Sequence, residues 1–230
     1  MDAALHGLLR SVDTPTVCNA IEVAQGKRGF NAFTRGTMLA SDPAGVMVGY
    51  ARTARIRALA PPTDAPEVIK ARRMAYYKYM SEGARPAVCV VQDLDVPNAI
   101  GAYWGEVNTN IHKAFGLAGT LTDGVMRDLG DLAEGYPVVA GSVGPSHGFV
   151  HVIDYDQPVR LHGLDIRPGD LVHADRHGAV VIPQDVVAGL ADAIATLMRS
   201  ESIVFDAVKG KRITFQDFEA AWAAFEAART

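Results

Sequence analysis

The spacing of apolar residues predicts alternating helices and strands through the first two thirds of the chain, then a run of short strands, then helices. Residues 3–10 have helical spacing, and Asp13-Thr14-Pro15-Thr16 reads as a cap before a helix running through Ile21-Glu22-Val23. Residues 26–45, rich in Gly, Phe and Thr, have no period and predict irregular backbone. From 46 to 56 the pattern comes to alternate, as in a strand with one wet face, and Pro61-Pro62 closes that unit. Residues 68–80 read as a helix bearing Arg72, Arg73 and Lys78. The apolar run at 87–92 is short enough for a strand buried on both faces.

Between 101 and 131 the pattern reads as helix, strand, sharp turn, helix. Gly105-Glu106 opens a segment with Val107, Ile111, Ala114 and Phe115 near helical spacing, ended by Gly116. Residues 118–122 read as a buried strand, Gly124 breaks it, and Arg127-Asp128 stands where a second helix is expected, closed by Gly135. Residues 137–141 predict another strand. From 149 to 183 short alternating runs are separated by turns at Asp156-Gln157-Pro158, His162-Gly163, Pro168-Gly169-Asp170 and His177-Gly178, which predicts antiparallel pairing. Residues 183–200, 202–208 and 215–229 read as helical. In the last of these Phe215, Phe218, Trp222 and Phe225 form an apolar stripe, to be packed on the chain's own core or on a neighbouring subunit. The pattern predicts an α/β fold: parallel βα units, an antiparallel C-terminal part, and C-terminal helices. No linker or repeat divides residues 1–230, so one domain is expected, with a helical extension from about 184 to 230.

Composition narrows the partners. A formal charge of −4 with scattered basic residues argues against a nucleic-acid surface, which needs a clustered basic face. Cys18 and Cys89 lie far apart among apolar neighbours, as buried thiols in a reducing compartment do. The first residues lack the basic and apolar regions of a signal peptide, and no apolar run approaches the ~20 residues needed to cross a bilayer. A cytoplasmic protein without membrane contact is expected.

The chemistry is expected between 101 and 131. Parallel βα units bring the loops after their strands to one sheet edge, where ligands collect. Free N–H groups at a helix start attract a carboxylate or phosphate, and an arginine beside them grips such an anion with two parallel hydrogen bonds. An aspartate next to a bound carboxylate suggests a shared hard cation. The stretch therefore proposes a metal-assisted site for a small acid.

Gly105-Glu106, followed by Asp123-Gly124-Val125-Met126-Arg127-Asp128 and Asp131, resembles the signature of the family of class II 4-hydroxy-4-methyl-2-oxoglutarate aldolases and regulators of ribonuclease E activity A (RraA-like). Ile166-Arg167-Pro168-Gly169-Asp170-Leu171-Val172, Ala174-Asp175 and Gly178-Ala179-Val180-Val181-Ile182-Pro183 resemble its second run, and Asp13-Thr14-Pro15-Thr16 its opening. The resemblance implies a β/β/α swivelling-domain-like sandwich assembled as a homotrimer or homohexamer, with the site at a subunit interface. It implies a lyase that releases pyruvate from a 4-hydroxy-2-oxo acid and decarboxylates oxaloacetate. Arg127 would bind the substrate carboxylate, with the backbone of Gly105, Val107 and Asn108 cradling it. Asp128 would ligate Mg²⁺ or Mn²⁺ largely through waters, and Glu106, longer than the family's Asp, would touch one of those waters. Glu201 is the candidate for an acidic residue reaching an adjacent subunit's site. The rival reading is a non-catalytic regulator binding ribonuclease E. A third is an enzyme for another acid, with Asn108-Thr109-Asn110 shaping its pocket.

Other clusters carry less. His173, Asp175 and His177 could share a strand face as metal ligands, as could His147 and His151. Against the first, the resembled family keeps Asp175 and Gly178 as turn residues without requiring histidines, and the second lacks a third ligand. The glycine-rich run 141–148 is neither a Walker loop nor a dinucleotide fingerprint, and it reads as turns or as a wall of the site. Ser142 and Ser146 lack the context of a hydrolase nucleophile.

Overall fold

The computed structural model describes residues 1–210 and 212–229. Helices α1 (Ala3–Arg10) and α2 (Thr14–Gln25) precede strands β1 (Leu39–Ala40) and β2 (Met47–Arg57). Helix α3 (Pro66–Ser81) leads into β3 (Ala87–Asp93) and β4 (Ala102–Trp104), and α4 (Glu106–Ala114) into β5 (Leu117–Thr122). Then follow β6 (Val125–Met126), β7 (Val138–Ala140), β8 (Ser142–Val143), β9 (His151–Tyr155), β10 (Val159–Leu161), β11 (Leu164–Ile166), β12 (Leu171–Asp175) and β13 (Gly178–Ile182). A 3-10 turn (Gln184–Gly189) enters α5 (Leu190–Val208), and α6 (Phe215–Arg229) is the last helix described.

The main sheet runs β1-β7-β5-β3-β2-β12-β13, with β9 also paired to β2, and curls into half a barrel. Its centre is parallel (β7, β5, β3, β2) and its C-terminal side antiparallel, as the pattern predicted. Alternation along β2 and β3 sorts the core. Ala54, Ile56, Ala87, Cys89 and Val91 face α3, while Met47, Ala51, Val88 and Val90 face the inside of the curl. There the β10–β11 hairpin supplies Val159, Leu161, Leu164 and Ile166, so the concave face is filled by strands rather than water. Each such buried side chain contributes about 1.5–3 kcal/mol. Outside, α1, α2 and α5 cover Val48, Leu171, Val180 and Ile182. The layering is strand hairpin, sheet, helices: the β/β/α order that the resemblance implied.

Three expectations need correction. The wet face predicted for β2 is covered in part: Arg55 pairs with Asp154 of β9 and keeps 34% of its side chain exposed, while Arg57 at the strand end stays exposed. No helix begins at Arg127. Asp128 (φ 56°), Gly130 (φ 103°) and Gly135 (φ 68°) are left-handed, so residues 128–136 form successive turns that no right-handed helix accommodates. Helix α5 runs unbroken through Glu201, and the residues before Leu190 wind as a 3-10 turn.

Local signals fix the helix starts. Asp2 and Asp13 accept the N–H of Leu5 and Thr16 at 2.8 and 2.9 Å, capping α1 and α2. Thr14, His173 and Asp175 tie these helices to the sheet. Thr14 N–H donates to Asp175 Oδ2 and its hydroxyl bonds His173 Nδ1, both at 2.9 Å, while His173 Nε2 lies 2.9 Å from the Leu9 carbonyl. Burial pushes the His173 imidazole below its ordinary pKa. No helix among the described residues is long and apolar enough to cross a membrane.

Candidate active site

A second, three-stranded sheet (β4-β6-β8, all parallel) builds the site. Strand β4 runs into Gly105 and α4, β6 into Arg127-Asp128, and β8 into residues 144–147. Three loops thus meet at the carboxyl edge of one parallel sheet, the edge where ligands bind. The Arg127 N–H donates to the Trp104 carbonyl at 2.7 Å and the Gly144 N–H to the Met126 carbonyl at 3.0 Å, which fixes the three loops side by side.

Asp128 reaches across this edge. Its Oδ2 accepts the Glu106 N–H at 3.1 Å and lies 3.6 Å from Arg127 Nε. Gly105, the N-cap of α4, brings no side chain of its own, so Asp128 does the capping from another loop. A Cβ at 105 would lie 2.5 Å from Asp128 Oδ2 and 3.1 Å from Arg127 Nε, so a side chain there would have to displace both. The Arg127 and Asp128 side chains are 35% and 33% exposed, enough for a small solute to touch both. Val107 and Asn108 are in the first turn, so helix geometry leaves their N–H groups without intrahelical partners.

A buried network underlies that turn. Asn108 Nδ2 donates to the Tyr103 carbonyl at 2.6 Å, and its Oδ1 accepts the Tyr77 hydroxyl at 2.8 Å. His112 Nδ1 is 2.7 Å from the Asn108 carbonyl, and its Nε2 is 2.7 Å from the Tyr76 hydroxyl. A carbonyl only accepts, so Nδ1 carries the hydrogen and Nε2 accepts from Tyr76. Burial holds this imidazole neutral, its pKa pushed down to about 4. Thr109 Oγ1 donates to the Gly105 carbonyl at 3.0 Å and accepts the Ala133 N–H at 3.1 Å, anchoring the turns after Asp128 beneath α4. Sequence reasoning missed His112 and Tyr76, and it offered Thr109 only as a wall of a specificity pocket, not as an anchor for the turns after Asp128. The available signal was His112 four residues after Asn108, on one helix face.

The structure brings Gly105, Arg127, Asp128 and the start of α4 together. Glu106 joins by its backbone, and its side chain is exposed. The Val107 side chain is 67% exposed. Glu201 makes no hydrogen bond or ion pair with Arg127 or Asp128 within the chain, since α5 packs on α2, α6 and the 3-10 turn. Among the described residues Asp128 Oδ1 has no hydrogen bond, and no group of three or more His, Cys, Asp or Glu converges. One open carboxylate oxygen suits Mg²⁺, which keeps several waters and takes one or two carboxylates. It does not suit zinc, which takes three or four protein ligands. His177 Nδ1 is 3.2 Å from Asp175, and the rings of His147 and His151 bond carbonyls of their own loop.

Comparison with known proteins gives the family. The Aldolase/RraA model of the RraA-like family matches residues 14–181. The chain belongs to the RraA-like family. That family includes both aldolases and ribonuclease E inhibitors. A Halalkalibacterium halodurans protein named "Putative 4-hydroxy-4-methyl-2-oxoglutarate aldolase" is 31% identical over 132 residues, 54% of this chain. The chain spans 59% of that relative's length, and 18% and 49% of two other curated relatives. RraAS2 of Streptomyces coelicolor, titled an unusual member of the RNase ES inhibitor RraA protein family, is 25% identical with a TM-score of 0.66, covering 91% of this chain and 98% of its own. A Pseudomonas syringae protein with a TM-score of 0.70 and 21% identity covers 97% of this chain and 94% of its own, and shares the fold.

Proposed function

We propose that this RraA-like protein is a divalent-metal-dependent carbon–carbon lyase. It cleaves 4-hydroxy-2-oxo acids of the 4-hydroxy-4-methyl-2-oxoglutarate or 4-carboxy-4-hydroxy-2-oxoadipate type to pyruvate, with oxaloacetate decarboxylation as a related activity. The observation that carries the reading is the accessible Arg127–Asp128 pair at the start of α4.

Cleavage leaves negative charge on the 2-oxo oxygen of the pyruvyl fragment, and the barrier lies in that charge. Arg127 grips the carboxylate and sets a fixed positive charge beside the developing one. Loss of such a donor costs ~100–1000-fold in rate. The N–H groups of Val107 and Asn108 hold the same carboxylate at the helix start. Glu106 is a carboxylate placed to take the 4-hydroxyl proton as the carbon–carbon bond breaks and to return it to the enolate carbon, which completes pyruvate. Mg²⁺ or Mn²⁺, when bound beside Asp128, supplies Lewis-acid polarisation of the 2-oxo group, so no lysine Schiff base is required. The working unit is a homotrimer or homohexamer in which Glu201 reaches a neighbouring site.

The test is a coupled pyruvate assay on oxaloacetate and a panel of 4-hydroxy-2-oxo acids, with Mg²⁺, Mn²⁺ or chelator. Arg127→Ala and Asp128→Ala should each abolish pyruvate release, and chelation should do the same. Wild-type rates in both variants would end the assignment. A second reading, a non-catalytic regulator binding ribonuclease E, draws on the likeness to the Streptomyces coelicolor protein. Its distinguishing outcome is capture of ribonuclease E without metal-dependent pyruvate release from any acid.

A further inference from the structure

At the carboxyl ends of β3 and β5 two acidic side chains share a dry corner. Asp93 is 1% exposed and Asp123 9%. The Asp93 N–H donates to Asp123 Oδ1 at 2.7 Å, and Asp93 Oδ1 accepts the Asp95 N–H at 3.0 Å. Asp93 Oδ2 is buried without a hydrogen-bond partner among the described residues. The cation at this corner, Arg57, is engaged 2.6 Å away by Asp95, whose other oxygen takes the N–H groups of Ala58 and Leu59. His162, from the β10–β11 turn, points Nε2 at the Thr122 carbonyl at 3.3 Å, and burial lowers its pKa, so it offers no compensating charge.

These groups enclose the crossover between the two sheets. Gly124 follows Asp123 and carries the chain from β5 of the main sheet into β6 of the small one. A Cβ on it would lie 3.1 Å from both Asp93 Cβ and Asp93 Oδ2. Its N–H donates to Thr122 Oγ1 at 3.1 Å, and its carbonyl accepts the N–H groups of Gly141 and Ser142 at 3.0 and 3.2 Å. A Cβ on Gly141 would lie 2.1 Å from the Asp123 carbonyl oxygen. The corner has no slack, and β6 leads directly to Arg127 and Asp128.

Two ionised carboxylates in such a corner need water or displacement, because one backbone N–H to each and an arginine already engaged by Asp95 offset only part of the cost of leaving water. A neutral acid at Asp123 needs neither. Burial, and secondarily the Asp93 charge, lifts Asp123 to about 7, and burial raises Asp93 above its ordinary value.

We propose that Asp123 is a positioning residue for the Arg127–Asp128 site, and that it acts as the neutral acid: losing its proton forces the Asp93–Asp123 corner apart and turns β6 about Gly124. The effect on rate rests on the lyase reading, whereas the effect on shape does not.

Trp104 reports the shape, since its carbonyl holds the Arg127 N–H and the chain's other tryptophan is Trp222. In a Trp222→Phe background, Trp104 emission should titrate near neutral pH. Adding Asp123→Asn, the fixed neutral isostere, should flatten the curve from pH 6 to 9. Asp93→Asn, which removes the facing charge, should move the midpoint to lower pH. In parallel, pyruvate release (kcat/KM) should fall about tenfold per pH unit above the midpoint, and Asp123→Asn should remove that limb. A flat Trp104 titration in the parent, or one unchanged by Asp123→Asn, overturns the proposal. A chain that releases no pyruvate from any acid sinks the lyase reading, and the fluorescence comparison still decides this one.

Discussion

Asp128 caps a helix to which it does not belong, its Oδ2 accepting the Glu106 N–H at 3.1 Å from across the sheet edge. One oxygen is structural while the other is open, so the two duties of this residue are separable. Asp128→Asn keeps a capping oxygen and tolerates the left-handed backbone (φ 56°). Pyruvate release should be lost while the melting temperature stays close to wild type. Asp128→Ala should also lose about 1 kcal/mol of stability, since the cap goes with the charge. Equal thermal shifts in the two variants would show that the cap contributes nothing.

Gly105→Ala drives a methyl group against Asp128 Oδ2, 2.5 Å away, and against Arg127. The pair should be pushed out of register with α4, with pyruvate release down at least ~100-fold, the scale of losing one positioned donor. Circular dichroism should remain that of the parent. Full activity in Gly105→Ala would mean that the close approach is unimportant.

His112 makes stability depend on pH. Its folded pKa of about 4 is below the ordinary value of 6.5, so the unfolded chain binds the proton first as pH falls. Its contribution is fully present above pH 6.5 and is lost between there and about 4, up to about 3 kcal/mol. Asp123 has the opposite sign. Its folded pKa is raised from 3.8 to about 7, so its contribution is present in acid and lost as pH rises through that window. The comparison must therefore be between variants. Urea midpoints of His112→Gln should fall less from pH 7 to 4.5 than those of the parent, and parallel curves would refute this.

Arg127→Ala and Glu201→Ala, each inactive alone, should complement when mixed as unfolded chains and refolded together. In a randomly mixed cyclic assembly about a quarter of sites draw Arg127 and Glu201 from intact copies. Failure to recover activity, with mixed assemblies verified by mass, would remove Glu201 from the site.

Much of this was legible in the chain because the main sheet is covered on both faces. Uninterrupted apolar runs such as β3, and the turn residues between β9 and β13, point to their own conformations. Gly105, Arg127 and Asp128 are singled out by their resemblance to the family's signature more than by spacing, and the structure places them together. Their setting could not be read. Strands β4, β6 and β8 are two or three residues long, too short for any period, and exist because they pair with one another. The helix expected after Arg127 failed for a related reason. An aspartate followed by Leu129 and Leu132 looks like a helix start, yet Asp128 turns its side chain to α4 and its backbone into a left-handed turn. The Asp93–Asp123 corner was invisible too, because 30 residues separate its members.

The brevity of the site-bearing sheet has a consequence for motion. A ladder of such short strands opens locally at far lower free energy than the long β2–β3 pair. Amide protons at 126, 127 and 144 should trade with deuterated solvent well before those of the main sheet. An acid and a cation bridging Arg127, Asp128 and the first turn of α4 would stitch the three loops together. Substrate would then be the last structural member of its own pocket, and catalysis would proceed only in a fold that cargo has finished.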